Sequence, residues 1–144
     1  MLEYFSKNNT VTLGAAGAES IVPFSNRHLQ KGTTAEMSGN TVDLNCCGLY
    51  DVSIGLSVSS GTAADLTFVL YVDNVAQPQT QRTISAATID DYYTVDISTY
   101  VQKQGNNTAC PCTSATNVYL AVSASVADAV LTFETTDIQV YKVR

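Results

Sequence analysis

The chain has 144 residues, a formal net charge of −6 and only 14% charged residues, where about 25% is usual in soluble domains. Its length fits a single domain over 1–144, large enough to bury about two-thirds of its unfolded surface without a staple. Seven Lys and Arg against thirteen acids argue against a nucleic-acid binder, which needs cations to displace counterions from phosphates, and no run approaches the ~18 apolar residues of a membrane span.

Residues 1–19 read as an N-terminal arm or a first strand. Tyr4 and Phe5 open it, Thr10–Leu13 alternates, and Gly14–Ala18 reads as a loop. Ser20–Phe24 is predicted as a short strand, placed at an edge or strand end because Pro23 has no N–H for a ladder. Ser25–Thr33 is polar and reads as an exposed loop, with the chain's single histidine, His28, in it. Glu36–Gly39 reads as a turn and Asn40–Leu44 as a strand.

Gly48–Ser59 carries the strongest signal. Tyr50, Val52, Ile54, Leu56 and Val58 share one parity, and Asp51, Ser53, Gly55 and Ser57 the other. Successive strand side chains point to opposite faces, so this predicts a central antiparallel strand with one face in the core. Asp65–Val72 is apolar on both parities, through Leu66, Phe68, Leu70 and Val72 on one and Val69 and Tyr71 on the other. A strand buried on both faces reads this way, and a partner subunit is the economical cover for the second face.

Asp73-Asn74 signals a turn, and Gln77–Gln81 reads as a polar connector confined to an edge or loop by Pro78. Arg82–Ala86 is a short strand, Thr88–Asp91 a loop, and Tyr92–Ile97 alternates again. Tyr100–Thr116 is the longest irregular stretch. Asn117–Ala124, Ala129–Glu134 and Asp137–Val143 close the chain as strands. Nine or ten short, regularly spaced strands without a convincing helix define an all-β, antiparallel two-sheet sandwich or barrel.

No catalytic motif is visible. A Ser-His triad needs a histidine beside its nucleophile, and His28 stands in a polar loop without a G-x-S-x-G turn in the chain. Asp90-Asp91 are adjacent and read as solvated rather than as a glycosidase pair, whose carboxylates face each other across a bond. The cysteines come as Cys46-Cys47 and Cys110-Pro111-Cys112, without C-x-x-C spacing. They read first as reduced thiols at loop positions; a disulfide between the two groups and a four-thiolate metal site are the alternatives. Tyr92, Tyr93 and Tyr100 flank the long loop and are candidate partner-contact residues, since a ring with a polar tip suits a contact surface. The competing reading puts Tyr93 in the core and Tyr92 at a subunit interface.

From about residue 20 onward the chain resembles the trimeric jelly-roll domains of the C1q and tumour-necrosis-factor (TNF) class. The resemblance rests on Ser20–Phe24 as an early strand ending in Phe, and on Asn40–Leu44 leading into Gly48-Leu49-Tyr50. Leu66–Val72 running into Asp73-Asn74, and the closing strands Val118–Val122 and Ile138–Val143, add to it. The departures are the lack of a Gly-X-Y stem, Val75 where a glycine often follows the Asn, and Tyr in place of a Phe-rich set. The resemblance implies a C1q/TNF-like jelly roll of about ten strands, packed as a homotrimer about a threefold axis. It also implies that calcium is a lesser prospect, with Asp65, Asp73, Asp90, Asp91 and Asp128 as the acidic loop positions; otherwise no cofactor is expected.

The expected function is a non-enzymatic homotrimeric structural or binding module, of the kind that forms phage head fibres, capsid decorations or spore-surface tips. Its further partner would be a capsid protein, a host-surface protein or a glycan. With no secretory pattern at Met1–Leu13, the chain is expected to fold in a cytoplasm and to reach the surface of a virion or particle. The alternative is a carbohydrate-binding or carbohydrate-cleaving β-sandwich using Tyr92, Tyr93 and nearby carboxylates. The absence of Trp, a common sugar-stacking residue, weighs against it.

Overall fold

The computed structural model describes residues 1–24, 26–32, 34–103 and 116–143, with the backbone alone over 26–29. Among the described residues there are eleven strands: β1 (Leu2–Thr12), β2 (Ser20–Ile21), β3 (Asn26–Gln30), β4 (Ala35–Ser38), β5 (Thr41–Leu44), β6 (Gly48–Ser60), β7 (Ala64–Val72), β8 (Val75–Ala86), β9 (Tyr93–Lys103), β10 (Thr116–Ala124) and β11 (Val130–Lys142). They form two antiparallel sheets, ordered β3-β1-β11-β6-β9 and β4-β5-β10-β7-β8, with β2 alongside β10. Chain neighbours often lie in different sheets, as β6 and β7 do, which is the winding of a jelly-roll sandwich.

The alternation in β6 explains its place. Tyr50, Val52, Ile54, Leu56 and Val58 are buried and the residues between them half-buried. One face of β6 therefore meets the core while β11 and β9 satisfy its two edges. Across the core, Phe68 of β7 meets Phe133 of β11 edge to face, with centroids 6.5 Å apart and rings at 82°. Each fully buried ring of this kind stabilises the fold by about 1.5–3 kcal/mol relative to exposure, and the edge-to-face contact adds to that.

Polar groups inside the sandwich are tied to one another. Ser6 of β1 and Thr136 of β11 are buried, their hydroxyls bond to each other, and the Pro23 carbonyl lies 3.2 and 3.1 Å from them. Pro23 gives the ladder no donor, but its carbonyl locks the β2–β3 connection onto the first sheet. Pairing of the Ser20–Phe24 stretch as β2 is confined to Ser20–Ile21. Beyond it the Val22 N–H still donates to Leu120 at 2.8 Å, and the Phe24 N–H donates to the Asn40 side chain at 3.1 Å.

Several segments that read as loops are strands. β3 lies inside the predicted loop 25–33, so His28 belongs to a strand at the sheet's edge. A polar edge strand has no hydrophobic period to betray it. β4 replaces the turn predicted over Glu36–Gly39, and the turn falls at Gly39-Asn40. β8 runs through the predicted connector 77–81. There the β7–β8 register jumps from Phe68↔Arg82 to Leu70↔Gln77. Thr80 turns inward at the jump, where its hydroxyl accepts the Leu70 N–H at 2.9 Å and donates to the Gln77 carbonyl at 2.6 Å. One side chain thus stands in for a rung of the ladder, which lets Pro78 sit in the bulge.

Asp73 and Asn74 both have positive φ, 49° and 63°, as a two-residue hairpin turn between β7 and β8 demands. On the second face of β7, Val69 and Tyr71 are half-buried. The chain itself covers part of that face, because the Tyr71 ring stacks on Tyr119 of β10.

Candidate functional site

The first sheet presents a broad outer face built on the polar parity of β6. Direct cross-strand partners share a face, so the registers assign its rows. Asp51 is flanked by Tyr100 and Tyr141, Ser53 by Ser98 and Gln139, Gly55 by Asp96 and Asp137, and Ser57 by Thr94 and Thr135. On β1, Glu3, Phe5 and Lys7 extend three of these rows. Three aromatics therefore project from this face: Phe5, Tyr100 and Tyr141 are 38%, 66% and 42% exposed. Between them the middle of β6 carries only Ser and Gly. A side chain on Gly55 would meet the Asp96 carboxylate at 3.2 Å, so the face is lowest along this strand.

Two hollows border the face. One, of about 240 Å³, lies over β1 and β11 and is lined by Phe5, Lys7, Thr135 and Asp137 among others. The other, of about 250 Å³, lies between the free edges of β8 and β9, with Gln77, Gln79, Tyr100 and Gln102 in its walls. Tyr100 thus stands where the flat face meets the open edge of the sandwich.

The three tyrosines singled out in the sequence do not form one site. Tyr92 is exposed before the start of β9. Tyr93, the next residue, points the other way, packs against the core and accepts the Thr88 N–H at 3.3 Å through its hydroxyl. Tyr100 lies seven residues further along β9, about 23 Å away at the rise of a strand. Asp90, at φ 65°, and Asp91 occupy the turn before β9, where their N–H groups donate to Ser60 and Thr88 carbonyls.

Cys46 and Cys47 each take part in a disulfide, which corrects the reading of these two as reduced thiols. Cys110 and Cys112 lie outside the described residues. The Tyr50 phenol pins this corner: it donates to the Cys46 carbonyl at 2.6 Å, accepts the Cys46 N–H at 3.3 Å and lies 3.3 Å from the Thr34 carbonyl. Burial pushes the Tyr50 pKa up, opposed by the hydrogen bond to the Cys46 backbone. Among the described residues no three or more His, Cys, Asp or Glu are grouped to hold a metal ion. Of the acidic loop positions, Asp73 uses its carboxylate to accept the Asn117 N–H at 2.9 Å.

Sequence reasoning missed a pairing on the other sheet. Tyr71 and Tyr119 are direct partners across β7 and β10, stacked 5.1 Å apart and 3° from parallel. The Tyr71 hydroxyl donates to Glu19 at 2.6 Å. That hydrogen bond, followed by burial and the charges of Glu19 and Tyr119, pushes the Tyr71 pKa up to about 12. The only signal in the sequence was the doubly apolar parity of Leu66–Val72, and it could not say which strand lay opposite.

The strand order, the two sheets and the jelly-roll winding give the chain the C1q/TNF-like jelly-roll fold. Among solved structures it is similar to the TNF protein Eiger from S. frugiperda, with a TM-score of 0.59 at 12% identity over 99% of this chain and 92% of that one. It is similar also to vertex protein P5 of PRD1, with 0.57 at 14% identity over 99% and 96%. Murine APRIL gives 0.56 at 10% identity over 95% and 98%. No protein-family model and no curated protein sequence matches the chain.

Proposed function

We propose that the chain is a non-enzymatic homotrimeric module at the surface of a virion or similar particle, where it serves as a structural and partner-binding knob. The observation that carries this reading is the outer face of the β3-β1-β11-β6-β9 sheet. Phe5, Tyr100 and Tyr141 emerge from that one face around a low strip of Ser53, Gly55 and Ser57. Exposed aromatics gathered on one face mark an association surface. The edge of the sandwich at β8 and β9, with Tyr100 at its corner, differs in shape from the broad face. Contact between two different patches is heterologous, and it closes into a ring when the rotation allows. Threefold closure accords with the C1q/TNF-like fold.

The placement at a particle surface is supported by the likeness to a phage vertex protein and by the disulfide-bonded Cys46 and Cys47, since disulfides persist outside reducing cytosol. Light scattering on the chain as it stands tests the reading. Three times the 15.3 kDa chain mass is the expected species, and Ser53→Arg is expected to return the monomer with its fold intact. A wild-type monomer at micromolar concentration overturns the proposal.

A further inference from the structure

The opposite face of the sandwich carries a hollow of about 200 Å³ lined by Glu19, Ser20, Ile21, Tyr71, Tyr119 and Ala121. The registers explain its shape. Ala121 faces Ile21 on one side and Val69 on the other, so a methyl group forms the floor where a larger side chain would fill the space. The stacked tyrosines stand on β7 and β10, and the Glu19 carboxylate is held by the Tyr71 hydroxyl.

The chemistry of this lining is one-sided. The Tyr71 proton is committed to Glu19 at 2.6 Å, and the Tyr119 hydroxyl donates to the Asn74 side chain at 3.4 Å. Both phenol oxygens then offer only lone pairs. An ionised carboxylate accepts and never donates, and an aromatic face is negative. Of the six lining residues, only Ser20 has a side-chain proton left to give. The chain carries a net charge of −6, which favours approach of a cation. A guanidinium matches this lining, since it donates through five N–H groups, accepts nothing and stacks on aromatic rings. A sugar hydroxyl matches less well, because its acceptor half meets few donors.

We propose that this hollow receives a basic side chain, an arginine in the first place, from a protein partner. Glu19 takes the charge-assisted hydrogen bonds and the Tyr71–Tyr119 pair supplies the aromatic surface. The hollow lies on the sheet opposite to the broad self-association face, with none of its lining residues on β8 or β9.

NMR titration of the full chain with the peptide acetyl-Gly-Arg-Gly-amide tests this, with the neutral citrulline peptide and lactose as comparison probes. The arginine peptide is expected to shift the Tyr71 and Tyr119 ring resonances saturably. The citrulline peptide should bind about tenfold more weakly, and Glu19→Gln should weaken the arginine peptide by about the same factor. A second variant, Tyr119→Leu, should also weaken it through loss of the cation–π contact. Absence of a saturable shift at these rings overturns the proposal, as does equal binding of the citrulline peptide or an unchanged affinity in Glu19→Gln. Saturation by lactose in place of the arginine peptide would also overturn it and assign a glycan site. Self-association is read separately by mass, so failure of either proposal leaves the other standing.

Discussion

Replacing Tyr50 by Phe isolates one oxygen at the entrance to the strand on which the core is built. The side chain is fully buried, at 0% exposure, so the ring can stay in place and no cavity larger than a hydroxyl is made. That oxygen serves both backbone groups of Cys46, giving its proton to the carbonyl at 2.6 Å and receiving the N–H at 3.3 Å. Removing a buried hydrogen-bond partner while its mates stay buried costs about 1–3 kcal/mol. The carbonyl bond is short and the amide bond long, so about 2 kcal/mol is expected, against the slight gain of burying a less polar ring. Urea unfolding should show a lower midpoint at unchanged slope, the signature of lost stability rather than a changed denatured state. A shift below about 0.5 kcal/mol, the usual range of surface substitutions, would refute the claim that the phenol fastens the Asn45–Cys47 corner.

Four further outcomes follow from the same geometry. Phe68→Leu and Phe133→Leu should be non-additive by about 0.5–1.5 kcal/mol in a double-mutant cycle of unfolding free energies, because the two rings meet edge to face. A reductant should lower stability by about 2 kcal/mol or more, since Cys46 and Cys47 each take part in a disulfide; an unchanged melting temperature would contradict it. Ultraviolet titration should find one tyrosine ionising near pH 12, and Glu19→Gln should bring it back towards the ordinary 10.0. The folded-state pKa of Tyr71 is raised, so its stabilising bond to Glu19 is fully present below about pH 10 and is lost as pH rises through about 12. Ser53→Arg, at a half-buried position on the outer face of β6 and away from the core, should leave the thermal midpoint of the fold within about 2 °C, as a change off the core does. It should abolish association, because three copies would each place a long charged side chain on the low strip that the neighbouring copy must pack against.

What the sequence made legible followed from burial on one face. β6 alternates because one side of it meets the core, and β10 and β11 have the same character. Period two therefore located the interior strands. The strands that escaped notice are those with little core to face. β3 is a polar edge strand beside β1, and the middle of β8 leaves the ladder at a bulge where Thr80 supplies the missing bonds. β9 continues to Lys103, past the point where its alternation fades. Its inward positions there include half-buried Thr99 and buried Lys103, whose ammonium donates to the Thr116 hydroxyl at 3.0 Å; polar inward residues hid the strand.

The candidate surfaces were less legible for a related reason. A sheet face is assembled from strands far apart in the chain, so Phe5, Tyr100 and Tyr141 share a face only through the register of four strands. Tyr92 and Tyr93 were grouped with Tyr100 as contact candidates because all three flank the long loop, yet adjacent residues of an extended chain send their side chains to opposite sides, which leaves Tyr92 exposed and packs Tyr93 against the core. Tyr71 and Tyr119 are 48 residues apart and do form a pair, through direct opposition on β7 and β10. Local sequence fixes which parity is apolar, while the partner strand decides what that parity touches.

The most direct test is the mass of the chain in solution, by light scattering coupled to size exclusion at micromolar concentration, with and without a reductant and a chelator. A single species at three times 15.3 kDa, unchanged by the chelator and returned to one chain mass by Ser53→Arg, is the result the account predicts. A wild-type monomer, or a trimer indifferent to Ser53→Arg, would contradict the assignment of the β3-β1-β11-β6-β9 face as the surface on which the copies meet.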